Sequence, residues 1–144
     1  MSIRNVTRGT VLADRERWAV TGADRARGLL DSDGLEPGEA LIISPCNSVH
    51  MFGMRFALDV IFVDRDGLVL RAITNLKPLG FTRLYLRAQR AIELPVGVIA
   101  QSQTEPGDQL DLGTVPSGGA GSSLLPWAFL VTSLVFAILL WFFS

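Results

Sequence analysis

The chain is short of the residues that most often carry chemistry. It has one cysteine (Cys46), one histidine (His50), one tyrosine (Tyr85) and one lysine (Lys77) in 144 residues. A single cysteine excludes an intrachain disulfide framework, and one thiol is compatible with a reducing compartment. A lone Cys–His pair leaves a zinc site short of ligands unless a carboxylate such as Asp59 or Glu93 joins it. There is no Gly-rich phosphate loop, no dinucleotide fingerprint and no zinc-finger spacing, so no cofactor and no metal are expected. Charge of neither sign prevails: 13 basic residues face 14 acidic ones. Without a basic run, the electrostatic footprint of nucleic-acid binding is missing, and no nucleic-acid partner is expected. The first residues (MSIRNVTRGTVLADRER) contain neither an apolar core nor a twin arginine, so no secretory signal is read there.

One uncharged run stands against these absences. Leu124 to Phe143 (LLPWAFLVTSLVFAILLWFF) holds no acidic or basic residue. As a helix it would span about 30 Å, the thickness of a bilayer's hydrocarbon core. Trp127 and Trp141 lie near its ends, where aromatic belts sit, and Pro126 falls in the first turn, where its missing N–H costs little. A single transmembrane helix, with the lipid bilayer as partner, is the expectation. Residues 113–123, rich in Gly and Ser, read as a flexible linker. Residues 1–112 then form one soluble domain. The nearest basic residue upstream of the run is Arg90, too distant to orient it, and only Ser144 follows. By elimination the expected topology is a tail anchor in the cytoplasmic membrane, with the domain on the cytoplasmic side.

The soluble part reads as mainly β. Thr10–Leu12 and Trp18–Val20 are short β-like pieces around Asp14-Arg15-Glu16-Arg17. Thr21, with Asp24 three residues on, looks like an N-cap opening a short helix over 22–30. Residues 40–44 form an apolar strand. Residues 58–63 and 68–73 flank Asp64-Arg65-Asp66-Gly67, a strong hairpin signal because glycine supplies the positive φ of the turn. Residues 84–86, 91–94 and 109–112 read as further strands, and 95–103 as holding a helical turn. Many short strands with frequent turns predict an antiparallel β-sandwich or barrel-like domain with one or two short helices.

Several linked blocks carry a family resemblance. They are Arg27-Gly28-Leu29-Leu30, the run from Cys46 to Asp64, Gly67 with Val69, Ile92-Glu93-Leu94-Pro95-Val96-Gly97, and Gly107-Asp108. In order and spacing they resemble the domain-of-unknown-function family 192, an uncharacterised ancient conserved region, over about residues 8–112. The resemblance implies a compact β-rich sandwich and no established activity. Many members of that family carry N-terminal export signals; this chain has its apolar segment at the other end. It also has Ala57 where the family often has Pro before the Leu-Asp pair.

Two groups of residues invite a chemical reading. Asp59 and Glu93 interrupt apolar strands, with Arg27, Arg55, Arg71 and Arg90 available as bidentate partners. They read either as internal ion pairs pinning the fold or as the lining of a polar cleft. Cys46 and His50, four residues apart, offer the types needed for an imidazole-activated thiolate. The functional expectation is a non-enzymatic accessory module tethered to the membrane. It would bind a small molecule or a membrane-protein partner through a cleft bordered by His50, Arg55, Asp59, Glu93 and Arg27. The alternative is a small hydrolase or transferase using Cys46 with His50.

Overall fold

The computed structural model describes residues 2–116. Eight strands and two short helices follow in the order β1 (Ile3–Asn5), β2 (Thr10–Ala13), β3 (Arg15–Ala19), α1 (Gly22–Arg27), β4 (Glu39–Ile43), β5 (Leu58–Val63), β6 (Val69–Leu76), β7 (Arg90–Leu94), α2 (Val98–Ser102) and β8 (Leu110–Asp111). They form a three-stranded sheet, β2-β1-β8, and a five-stranded sheet, β3-β4-β7-β5-β6. The expected sandwich is present, but no barrel closes. The sheets are joined where residues 67–69 bond residues 107–110, including the bridge from Leu68 to Gln109, and through the step from β2 to β3. Nor is the larger sheet wholly antiparallel: β3 and β4 pair in parallel, from Arg15 opposite Glu39 to Ala19 opposite Ile43. A parallel pair needs a crossover, and residues 20–38, including α1, supply it.

Alternation along the strands sorts the apolar side chains into two cores on opposite faces of the five-stranded sheet. Ile42, Ile61, Val63, Ile92 and Leu94 point toward the smaller sheet and pack with Ile3, Leu12, Leu110 and Leu112. Leu41, Ile43, Val60, Phe62 and Ala91 point the other way, under a layer of loops that contributes Leu29, Cys46, Val49, Met51 and Ala88. Every residue of β5 (LDVIFV) is therefore buried, which explains why all but Asp59 are apolar.

Local chemistry sets the ends of the elements. The Thr21 hydroxyl accepts from the Asp24 amide at 3.0 Å, as the sequence predicts. The helix stops earlier than expected, at Arg27, because Gly28 (φ 47°) turns the chain out of it. The segment 84–86 is not a strand. Tyr85 packs on Phe62, with ring centroids 4.9 Å apart, and the segment belongs to a loop lying over the second core. β1 was not anticipated, and β3 begins at Arg15, within the charged stretch expected to separate two strands. The hairpin turn forms as expected. The Asp64 carboxylate accepts from the amides of Asp66 (2.9 Å) and Leu68 (3.0 Å), and Gly67 has φ 86°. Among the described residues no helix is long and apolar enough to cross a membrane. The span expected over 124–143, with Leu124, Trp127, Trp141 and Phe143, lies outside the described residues.

Gly67 also lies against β8: a Cβ built there would come 2.4 Å from the Leu110 carbonyl oxygen. Gly67→Ala is expected to destabilise the domain by about 2 kcal/mol or more, through positive-φ strain and this clash. Urea unfolding measures it, and an unchanged midpoint would contradict the hairpin's docking on β8.

Candidate functional site

Asp59 sits in the middle of the five-stranded sheet with no exposed surface. None of the four arginines reaches it. Its carboxylate accepts instead from three backbone amides: Asn75 at 3.0 Å, Gly97 at 3.1 Å and Ile99 at 3.0 Å. Helix α2 opens on Gly97, which has no side chain to cap it. Asp59 performs that capping from β5, satisfying amides that a local Ser or Asp would ordinarily take. The ion-pair reading of Asp59 is thereby corrected: hydrogen bonds from the backbone stabilise the buried charge.

Glu93 faces the other way. On β7 it lies between Leu41 of β4 and Val60 of β5, within the loop-covered core, and is 5% exposed. The two carboxylates occupy opposite faces of one sheet and do not converge on a cleft. Its Oε2 has no hydrogen-bond partner among the described residues. Burial pushes its carboxyl up to about 7. An orphaned carboxyl oxygen in an apolar interior is costly, and few native groups remain in that state.

Cys46 is the neighbour that feels this charge. Its thiol donates to the Ser48 carbonyl at 3.2 Å, and burial pushes it up to about 12. The charge of Glu93 acts in the same direction, and that of Arg25 in the opposite one. Arg25, on α1, donates to the Val20 carbonyl at 2.8 Å. The sequence did not single it out, since nothing in the pattern separates it from Arg27. His50 makes no hydrogen bond to Cys46. It is exposed, bridges to Phe81, and has its ring 5.5 Å from that of Phe52. Partial burial lowers its pKa below the ordinary histidine value. A thiol held protonated, with no imidazole bonded to it, is not an activated nucleophile. Arg27 and Arg55 are at the surface of the same loop-covered side, paired with Asp31 at 3.0 Å and Asp33 at 2.6 Å.

The loop layer has a distinctive outer side. Residues 77–88 run as a strap along residues 47–51, held by the bonds Met51 N–H to Gly80 O, Thr82 N–H to Val49 O and Tyr85 N–H to Asn47 O. Tyr85 and Ala88 point inward. Leu79, Phe81, Leu84 and Leu86 are exposed, Phe81 by 73% and Leu86 by 81%.

These features belong to an uncharacterised β-rich family. The chain is a member of the DUF192 family, described as "Uncharacterized ACR", whose model matches residues 4–112. A UPF0127 protein of Thermococcus sibiricus is 34% identical over 114 residues, which is 74% of this chain and 71% of that protein. A solved structure of a protein of unknown function from Novosphingobium aromaticivorans matches with TM-score 0.65 and 26% identity, over 76% of this chain and 81% of its own. A Sinorhizobium meliloti structure, 22% identical, also has TM-score 0.65 over 76% of this chain and 90% of that one, and shares the fold.

Two outcomes test the roles given to the carboxylates. Asp59→Ala leaves three amides without their acceptor and is expected to cost about 3 kcal/mol or more in chemical denaturation. A near-neutral result would contradict the long-range cap. Glu93 has a folded pKa raised from 4.5 to about 7, so between those values the folded chain binds more protons than the unfolded one. Stability should therefore fall as pH rises from about 4.5 to 7, by on the order of 3 kcal/mol, and level off above. Glu93→Gln should flatten that part of the profile. Identical slopes for the two proteins would show that Glu93 titrates normally.

Proposed function

We propose that the chain is a non-catalytic binding module, held at the cytoplasmic membrane by residues 124–143. It takes a small, donor-bearing ligand on the loop-covered face of the five-stranded sheet. The observation that carries this reading is the Glu93 carboxyl, buried and lacking a partner for one oxygen. Such a group favours a ligand that brings an N–H or O–H donor, and at neutral pH its partial negative charge favours an ammonium over a neutral hydroxyl. The apolar neighbours Leu41, Val60, Met51 and Phe62 suit a ligand with a hydrocarbon body. His50, Arg27 and Arg55 border the same side as rim groups, whereas Asp59 takes no part because its acceptor sites are already occupied. The protonated Cys46 thiol and its separation from His50 weigh against the hydrolase alternative. The uncharged run 124–143 supports the tether, since its length and composition suit lipid.

Two measurements decide the matter. Alkaline carbonate washing should leave the full-length chain in the membrane pellet; release to the supernatant removes the tether. In detergent micelles, 3-methylbutylamine at mildly alkaline pH should shift methyl NMR signals of the Met51 and Leu41 region more than the matching alcohol does. Glu93→Gln should abolish that preference. Equal or absent shifts in the unmodified protein would overturn the ligand reading.

A further inference from the structure

From Gly67 to Ile92 the chain contains five basic residues and no acidic one, although acidic residues slightly outnumber basic ones overall. Three of the five, Lys77, Arg83 and Arg87, are on the strap, and all three are exposed. Among the described residues no carboxylate forms an ion pair with them; the carboxylates that do pair are bound to Arg8, Arg15, Arg27 and Arg55. Interleaved with these cations are the exposed apolar side chains Leu79, Phe81, Leu84 and Leu86. Leu79 adds an independent sign. It has φ 69°, a left-handed conformation that favours glycine, and is 71% exposed. A leucine there bears backbone strain of the kind found at functional sites, and burial inside the domain does not offset it.

We infer that the outer side of the strap is a docking surface for an anionic bilayer. Hydrophobic tips enter the interfacial zone while the flanking cations meet lipid phosphates, the arrangement by which peripheral segments hold to membranes. Charge decides against a second copy as the occupant, because two straps face to face would oppose Lys77, Arg83 and Arg87 with themselves. The chain length allows the contact. β8, where the domain ends, lies in the smaller sheet, across the five-stranded sheet from the strap. Stacked sheets are about 10 Å apart. The eleven residues 113–123 reach at most about 37 Å. A domain tethered at 124 can therefore turn its strap toward the lipid. The inference goes beyond the ligand site and shares only the bilayer with the proposed tether.

Full-length protein carrying Cys46→Ala and a spin label at Phe81→Cys, Leu86→Cys or the control Val11→Cys tests it. The label's collision rates with oxygen and with a water-soluble nickel chelate are read in vesicles. In vesicles one-third phosphatidylglycerol, the nickel rate at both strap sites should fall severalfold while the Val11 site, on the smaller sheet, stays unchanged. In pure phosphatidylcholine, in high salt, or in a K77E/R83E/R87E variant, the strap sites should return to the aqueous rate. Vesicle flotation in the same samples reports the tether separately. Loss of flotation from neutral vesicles overturns the tether alone. Strap labels that stay at the aqueous rate in floated anionic vesicles overturn the docking surface. So does protection without vesicles, which would assign the surface to a protein partner.

Discussion

One carboxylate gathers three parts of the fold that share no sequence neighbourhood. Asp59, the second residue of β5, takes the amides of Asn75 near the end of β6 and of Gly97 and Ile99 at the start of α2. The loop after β7 is thereby fixed against the sheet, and α2 is set over the core between the two sheets, where Ile99 is buried. Asn75 adopts φ 52° there, a left-handed conformation that asparagine tolerates better than other non-glycine residues. A buried charge costs several kcal/mol to desolvate, and three amide donors in good geometry offset that cost. A second carboxylate does similar work in the smaller sheet. Asp108 accepts from Asn5, from Arg8 and from the Glu105 amide. Burial disfavours its charge, but those donors prevail and hold its carboxyl below the usual range.

Glu93 shows what happens without such donors. It is almost as deeply buried as Asp59, on the adjacent strand of the same sheet but facing the other side, and the local sequences look alike: an acid between aliphatic residues. Asp59 is satisfied by backbone groups and is structural. Glu93 keeps an oxygen without a partner, and burial raises its pKa, which sets it apart from Asp59. The difference arises from the loops that reach each face, not from the residues themselves.

That contrast explains how far the sequence could be read. The β-rich sandwich, the Asp64–Gly67 hairpin and the Thr21 cap were legible because each depends on residues close together in the chain. The parallel pairing of β3 with β4 was hidden, because it depends on a crossover and on partners about 24 residues apart in register. Leu84-Tyr85-Leu86 alternates like a strand, yet the Tyr85 amide bonds Asn47 in a loop rather than a sheet strand. The separation of Asp59 from Glu93 was hidden as well, since strand parity in two different strands says nothing of their relative phase. One clue to Asp59 was present in the sequence: Pro95-Val96-Gly97 leads into α2 without any capping side chain, so its amides needed an acceptor from elsewhere.

The two ends of the folded unit are zipped together. β8 pairs with β1 through only two register positions, Arg4 opposite Asp111 and Asn5 opposite Leu110. Tension applied at Pro116 would enter through this short ladder and load its hydrogen bonds one after another, as in peeling. The Asp108 cluster and the Leu110 contact with Gly67 come next in line, so mechanical yielding would start at β8 and leave the five-stranded sheet, with Glu93 and the strap, intact.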